Sequence, residues 1–207
     1  FQGQVAVPYS GWGGSGDQTV LVDWTLIDTP SAARAVANRL DTLPRGRAHY
    51  TALGDAVYFA AGRFADLPYS TVRRVIDVSG DGVNNEGLRA DTARDLVTAQ
   101  GIVINGLPLI LEPDGRITIL DVPNLDLYYE DCVIGGPGAF ALPIRRAEDL
   151  AAGIRTKLLL EVAGSKATLF QAAMTAPRVA CTIGETRRGI VPQDAPERSD
   201  REIHLPD

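Results

Sequence analysis

The feature that most constrains the fold is a short apolar strand that runs into an acidic glycine turn, at residues 73–87 with the sequence RRVIDVSGDGVNNEG. This strand is too short and too rich in β-branched residues to be a helix. Gly80 and Gly82 leave the backbone around Asp81 free to turn tightly. Open α/β sheets bind their ligands at the carboxyl ends of buried strands. Because an oxygen-rich turn suits a hard cation such as Mg²⁺, the segment predicts a ligand site at Asp81.

Strand and helix signals alternate around this segment and predict an α/β fold. Thr29 and Pro30 form a typical helix start, and Gly101 a typical helix end. Helices are predicted at residues 30–40, 53–64, 91–100, 124–132 and 147–162. Strands are predicted at residues 4–9, 19–27, 102–110 and 139–144, in addition to the strand before Asp81. The first two strands read as a hairpin, and the later order implies a Rossmann-like domain. Its central sheet is expected to be mostly parallel, with helices on both faces.

Composition narrows the class of protein. The net charge of −6 over 207 residues argues against a nucleic-acid binder, and no apolar stretch is long enough to cross a membrane. The chain begins at Phe1 with no signal peptide, so we expect a mature product or a fragment. Residues 1–164 are expected to form the domain. Residues 165–207 form a charged, Pro-containing extension that we expect to be ordered only on a partner.

The two cysteines, Cys132 and Cys181, leave two interpretations open. They could form one disulfide in an oxidising compartment, or remain two separate buried thiols. Sequence alone cannot show their proximity. Their separation excludes a zinc knuckle.

Three segments carry a resemblance to a known family. Residues 75–87, 102–109 and 128–140 resemble the von Willebrand factor type A domain, and more closely a bacterial family of uncharacterised secreted proteins with that fold. The likeness covers about residues 4–164. Such proteins are usually exported, so the resemblance implies a periplasmic or secreted location.

The resemblance also implies a metal-ion-dependent adhesion site. In that family an Asp-x-Ser-x-Ser motif on the first strand, a Thr from a later loop and an Asp at a later strand end hold Mg²⁺ or Ca²⁺. Here Thr51 matches the Thr and Asp81 matches the late Asp. The ion would keep affinity for one more carboxylate, supplied by a protein partner. This chain lacks the first strand and its motif, so the sheet is expected to expose an edge there, unless another chain fills the gap.

Other patterns have simpler interpretations. Residues 11–16 match a dinucleotide fingerprint, but a strand follows them, so a flexible hairpin loop fits better. Trp12 in this loop could be an exposed partner contact. Asn84 and Asn85 could approach the cation or a partner, or could serve the turn conformations of a solvated loop, the interpretation we prefer for Glu86. Asp77, within an apolar strand, is expected to be a paired structural carboxylate.

Three functions follow from these residues. The leading hypothesis is a protein-binding module that uses the face bearing Thr51, Asp81 and the Trp12 loop. The alternative is a structural subunit of a larger assembly, in which the metal site is vestigial. A metal-dependent hydrolase ranks third because no base and nucleophile pair is identifiable near Asp81, so no enzymatic activity is expected.

Overall fold

A computed structural model describes residues 4–43, 46, 48–111, 124–162 and 177–189. The strands are β1 (Val5–Gly11), β2 (Thr19–Ile27), β3 (Val75–Gly80) and β4 (Val103–Pro108). The helices are α1 (Pro30–Asp41), α2 (Leu53–Gly62), α3 (Ala90–Thr98), α4 (Leu125–Tyr128), α5 (Leu150–Val162) and α6 (Ile183–Arg187). Single turns extend α2 over Arg63–Asp66 and α4 over Tyr129–Val133, and a turn at Ala147–Asp149 leads into α5. The sequence EPDG at residues 112–115 predicts a turn, which lies outside the described residues.

The parallel sheet is built on β3 and β4. The two strands pair in register from Val75 opposite Val103 to Gly80 opposite Pro108. The predicted strand at residues 139–144 lies beside β4 and runs parallel to it, but it pairs only at isolated positions. Hydrogen bonds join it to Gly106 and to Ile110, and Pro108 between them has no N–H to donate. The fold class is therefore α/β with a small parallel sheet, as predicted.

The hairpin of β1 and β2 forms a second sheet. Its strands pair from Val5 opposite Ile27 to Gly11 opposite Thr19, with an irregularity around Pro8. Among the described residues, no strand joins this hairpin to β3. The hairpin and the parallel sheet are thus two separate two-stranded sheets, and β1 and β3 each keep an edge without a strand partner in the described part of the chain, in agreement with the exposed edge predicted from the sequence.

The hydrophobic core lies on one face of the parallel sheet. α2, α3 and the turn after α4 cover this face. The largest fully buried apolar side chains are Leu53, Val57, Val97, Ile102, Ile104, Tyr128, Tyr129 and Val133. A disulfide between Cys132 and Cys181 fastens residues 177–189 to this core. Of the two interpretations of the cysteines, the structure therefore supports the bonded pair.

The two outer helices pack less closely. In α1, the Thr29 hydroxyl accepts a hydrogen bond from the Ala32 N–H at 3.2 Å, which confirms the predicted cap. Ala33, Val36 and Leu40 recur at helical spacing and predict an apolar face for α1, yet no residue of this helix is buried, because it rests mainly on β2. α5 covers the other face of the parallel sheet through Lys157, which forms ion pairs with Asp77 and Glu161. Asp77 is therefore paired, as predicted.

None of the helices in the described ranges has the length and apolar character needed to cross a lipid bilayer.

Candidate functional site: a pocket at the end of strand β3

A small pocket opens where β3 ends. Its volume is about 160 Å³. The lining residues come from two loops, one before α2 and one after β3: Ala48, His49, Thr51, Asp81, Gly82, Val83 and Asn85. Thr51 and Asp81, the two residues predicted to hold a metal ion, therefore share one pocket.

The Thr51 hydroxyl lies against the glycine turn. A β-carbon placed on Gly82 would be 3.2 Å from Thr51 Oγ1, so a larger residue at this position would press on the hydroxyl. Thr51 is half-buried and Asp81 is exposed. The chain thus offers one neutral hydroxyl and one carboxylate, two of the roughly six oxygen ligands that Mg²⁺ takes. Within the described ranges, no group of three or more His, Cys, Asp or Glu side chains could hold a metal ion by itself.

Asn85 fastens the two loops to each other. Its side-chain Oδ1 accepts a hydrogen bond from the Thr51 N–H at 2.9 Å, and its own N–H donates to the Thr51 carbonyl at 2.9 Å. Only 4% of its surface is exposed. Asn85 therefore fixes the backbone of the residue that carries the candidate hydroxyl ligand.

Asn84 has a similar role one position earlier. Its Oδ1 accepts from the Gly54 N–H at 2.9 Å, at the start of α2. Its Nδ2 donates to the Glu86 carbonyl at 3.1 Å and to Glu185 Oε1 at 2.7 Å. Asn84 is fully buried. The sequence suggested Asn84 and Asn85 as partner contacts; Asn84 is enclosed and Asn85 lines the pocket, and a partner contact through either stays a prediction.

Trp12 lies beside the end of β3 rather than at an exposed loop tip. It is half-buried and packs against the core. A β-carbon on Gly80 would be 3.1 Å from the Trp12 ring, and the Gly13 carbonyl accepts a hydrogen bond from the Ala52 N–H at 2.8 Å. The Gly-rich loop at residues 11–16 therefore lies beside the pocket, and a partner contact through Trp12 stays a prediction.

Asp55 and Glu86 tie this Gly-rich loop to the loop after β3. Ser15 donates its N–H to Glu86 Oε2 at 2.9 Å and its hydroxyl to Asp55 Oδ2 at 2.6 Å. Asp55 Oδ1 also accepts from the Leu88 N–H at 2.7 Å. The hydrogen bond from Ser15 and the neighbouring Arg188 guanidinium lower the pKa of Glu86. The sequence interpretation of Glu86 as a solvated loop residue was therefore wrong.

The described part of the C-terminal extension packs against the same loop. Arg188 Nη1 lies 3.0 Å from Glu86 Oε1 and donates to the Asn85 carbonyl at 3.1 Å. Its guanidinium also stacks 3.7 Å from the centre of the Tyr50 ring. For residues 177–189, the domain itself therefore supplies the packing surface that was predicted to come from a partner. No local sequence signal predicted these contacts, because they join residues about a hundred positions apart.

Tyr129 lies beneath the strand end. Its hydroxyl is buried and has no hydrogen-bond partner among the described residues. A β-carbon on Gly80 would be 3.0 Å from this hydroxyl. Burial, and secondarily the negative charge of Asp81, raise the pKa of Tyr129, so the phenol stays protonated and able to donate.

Comparisons with known proteins give a family and two similar structures. The profile of a family described as "Protein of unknown function (DUF1194)" matches residues 1–166. The chain is similar to the conserved hypothetical protein BatB from Bacteroides thetaiotaomicron, with 16% identity, a TM-score of 0.47, and coverage of 77% of this chain and 80% of that chain. It is also similar to an aerotolerance-related membrane protein from Bacteroides fragilis with multiple mutations to serines, with 18% identity, a TM-score of 0.45, and coverage of 76% and 79%.

A comparison with curated protein sequences finds no match. The family match includes every residue that lines the pocket, from Ala48 to Asn85. It ends before Cys181 and the segment that packs on the loop after β3. The match spans most of the chain, and this protein belongs to the DUF1194 family.

Proposed function

We propose that this chain is a protein-binding module whose partner docks on the pocket at the end of β3. The observation that carries the proposal is the convergence of Thr51 and Asp81 in one pocket, on loops that Asn84 and Asn85 hold from the inside. Rigid support of this kind favours binding, because little freedom is lost when a partner docks. The resemblance to von Willebrand factor type A domains points to the same face.

A divalent cation, Mg²⁺ or Ca²⁺, would mediate the contact. The Thr51 hydroxyl and the Asp81 carboxylate would each provide one oxygen ligand. A hard cation held by so few charged groups stays attractive to a further carboxylate. An acidic side chain of the protein partner would supply it. The proposed role is binding without chemistry.

The first experiment is a calorimetric titration of Mg²⁺, Mn²⁺ and Ca²⁺ into the protein and two variants. Asp81→Ala removes the proposed ligand. Asp149→Ala is the matched control, because it removes an exposed carboxylate whose partner is Arg146 at the start of α5. We expect binding in the wild type and in the control, and none in Asp81→Ala. Equal binding by all three proteins would refute the metal-mediated form of the proposal.

An added carboxylate tests whether the ion is open to a partner. Bound Mn²⁺ relaxes solvent protons through the water molecules that it retains. If the ion accepts a partner carboxylate, millimolar acetate should displace water and lower this relaxation in the wild type. Relaxation that acetate leaves unchanged would show a closed ion, which cannot recruit an acidic side chain.

A periplasmic or secreted location accompanies this proposal. The disulfide between Cys132 and Cys181 supports it, because disulfides persist in oxidising compartments. Isolation of the protein from its native compartment with thiols blocked should show both cysteines oxidised. Two free thiols would contradict an oxidising location.

A structural subunit of a larger assembly is the second candidate. It is favoured by the edges of β1 and β3, which have no strand partner within the described ranges, and by the exposed apolar residues of α5. Leu158 and Leu159 are 51% and 58% exposed. Exposed apolar surface of this kind marks interaction sites. If α5 lies in an assembly interface, Leu158→Lys should release a smaller species in light scattering, whereas Asp81→Ala should not.

A further inference from the structure

The C-terminal segment at residues 177–189 lies beyond the family match, yet it packs on the loop after β3 that forms one wall of the pocket. We refer to residues 177–189 as the brace and to residues 82–88 as the site loop. Both the brace and the Gly-rich loop contact the site loop at Glu86, the brace through Arg188 and the Gly-rich loop through Ser15. Its contacts divide into an anchor, a buried contact and a rim contact.

The anchor fixes the start of the brace to the domain. Cys181 is bonded to Cys132, which is fully buried in the core. Arg178 adds an ion pair with Asp131 and one with Glu130, both at 2.6 Å. The disulfide provides the stronger constraint, because surface ion pairs contribute little and are screened by salt. The anchor places α6 directly against the site loop.

The buried contact joins α6 to Asn84. Glu185 is 4% exposed, and its Oε1 accepts the hydrogen bond from Asn84 Nδ2 at 2.7 Å. A β-carbon on Gly184 would lie 2.0 Å from the Asn84 carbonyl oxygen, so only glycine allows the helix to approach this closely. Asn84 also accepts a hydrogen bond from the Gly54 N–H at the start of α2, so Glu185 acts through Asn84 on both the site loop and the start of α2.

The rim contact closes the end of the brace over the site loop. Arg188 bonds to the Asn85 carbonyl and pairs with Glu86, while its guanidinium covers the Tyr50 ring. Tyr50 directly precedes Thr51, and Thr51 is hydrogen-bonded to Asn85. Arg188 therefore contacts both of the loops that these hydrogen bonds join. Arg suits this position because its planar guanidinium can stack and donate at the same time.

We infer that the brace, anchored by the Cys132–Cys181 disulfide, holds the site loop in place and thereby sets the shape of the Thr51–Asp81 pocket. Glu185 and Arg188 are positioning residues, because they act on the pocket through Asn84, Asn85 and Glu86. The structural part of this inference is independent of the ligand, whereas its effect on metal affinity rests on the proposed function. The site is therefore completed by a segment that the family match does not include.

Hydrogen exchange at single amides in the full chain tests the structural part. The N–H groups of Thr51 and Asn85, which bond between the two loops of the pocket, report on the site loop. The N–H groups of Ile104 and Gly106 in β4 report on the domain as a whole. Both kinds of reporter are read in the same sample. A local opening of the site loop then differs from a loss of global stability.

Four variants separate the contacts of the brace. Glu185→Ala removes the acceptor for Asn84, and Glu185→Gln retains it as a matched control. Arg188→Ala removes the rim contact, and Arg146→Ala removes an exposed arginine ion pair elsewhere as its control. We expect exchange at the Thr51 and Asn85 amides to rise about tenfold in Glu185→Ala and Arg188→Ala, with the two controls close to wild type.

Two results would overturn the inference. One is unchanged exchange at Thr51 and Asn85 in both alanine variants. The other is an equal rise at the β4 amides in both, which would show that the brace stabilises the whole domain rather than the site loop. Arg188→Ala keeps the test valid if Glu185→Ala fails to fold, because Arg188 is at the rim.

The Mn²⁺ titration then separates this inference from the proposed function. If the wild type binds Mn²⁺, Arg188→Ala should weaken that binding several-fold while Asp81 is intact. If the wild type binds no Mn²⁺, the metal-mediated function fails, and the exchange result alone decides on the brace.

Discussion

The molecule has two halves that differ in how far their residues are buried. The pocket half consists of α2, β3, α3, β4 and the brace, and the hairpin half consists of β1, β2 and α1. In the pocket half, every residue of β4 is buried, and α2, α3 and the brace pack around the parallel sheet. In the hairpin half, no residue of β1, β2 or α1 is buried. Burial of apolar surface dominates folding free energy, so stability should be concentrated around the parallel sheet. The hairpin half contributes the Gly-rich loop beside the pocket but little of the core.

The largest expected effect comes from a matched pair of core truncations, one in each half. Ile104→Ala in β4 removes a fully buried side chain and should lower the free energy of unfolding by about 3–4 kcal/mol. Ile27→Ala in β2 removes a half-buried one and should cost about 1 kcal/mol. Urea denaturation followed by circular dichroism measures both values. Equal losses of unfolding free energy would show that the two halves share one core.

Loss of the disulfide should rank second. Cys132→Ser combined with Cys181→Ser opens a loop closed over a sequence separation of 49 residues. Removal of such a cross-link typically costs about 2–4 kcal/mol, mainly because the unfolded chain gains freedom. Denaturation of the oxidised wild type and the double variant, both without reductant, gives the difference. A loss below about 1 kcal/mol would mean that α6 is held by its other contacts.

A pH-dependent effect of intermediate size is expected where α5 meets the parallel sheet. Burial, and then the neighbouring Asp77, raise the pKa of Glu161 from 4.5 to about 7, although Lys157 opposes this shift. Glu161 Oε1 also accepts hydrogen bonds from Lys157 at 2.8 Å and from Asn105 at 3.0 Å. A carboxyl whose pKa is raised by folding stabilises the folded state below its unfolded pKa, and this stabilisation is lost as pH rises through the folded pKa.

The contribution of Glu161 to stability should therefore fall between pH 4.5 and about 7. Glu161→Gln removes the titrating group and keeps an oxygen acceptor, so it should flatten this part of the profile by on the order of 1 kcal/mol. Thermal unfolding at closely spaced pH values provides the measurement. Arg146→Ala serves as the control, because its pairing with Asp149 is exposed. If stability changes with pH to the same extent in wild type and in Glu161→Gln, Glu161 is not the group that titrates in this range.

Local sequence patterns predicted the elements that depend on neighbouring residues. The β-branched run before Gly80 gave β3, and Thr29 with Pro30 gave the start of α1. Positions determined by distant residues were harder to predict. The interior position of Asn84 depends on Gly54 and Glu185, which are 30 and 101 residues away. No period or motif in the sequence encodes such contacts.

The sequence also identified Thr51 and Asp81 as a pair, but only through a family resemblance. Spacing alone does not indicate that residues 30 positions apart share a pocket. The exposure of α1 was not predicted for a related reason. Apolar periodicity predicts which face of a helix is suited to burial, whereas the amount of burial depends on what lies opposite that face.

The smallest effect should come from the cap of α1, which tests the hairpin half directly. Thr29→Ala removes the hydrogen bond to the Ala32 N–H and should destabilise the first turn of α1 by about 1 kcal/mol. Because α1 has no buried residue, its ends can open without unfolding the core. We therefore expect faster hydrogen exchange at the α1 amides and unchanged exchange at the Ile104 amide. If the Ile104 amide also exchanges faster, α1 unfolds together with the parallel sheet, and the two halves form a single cooperative unit despite their different burial.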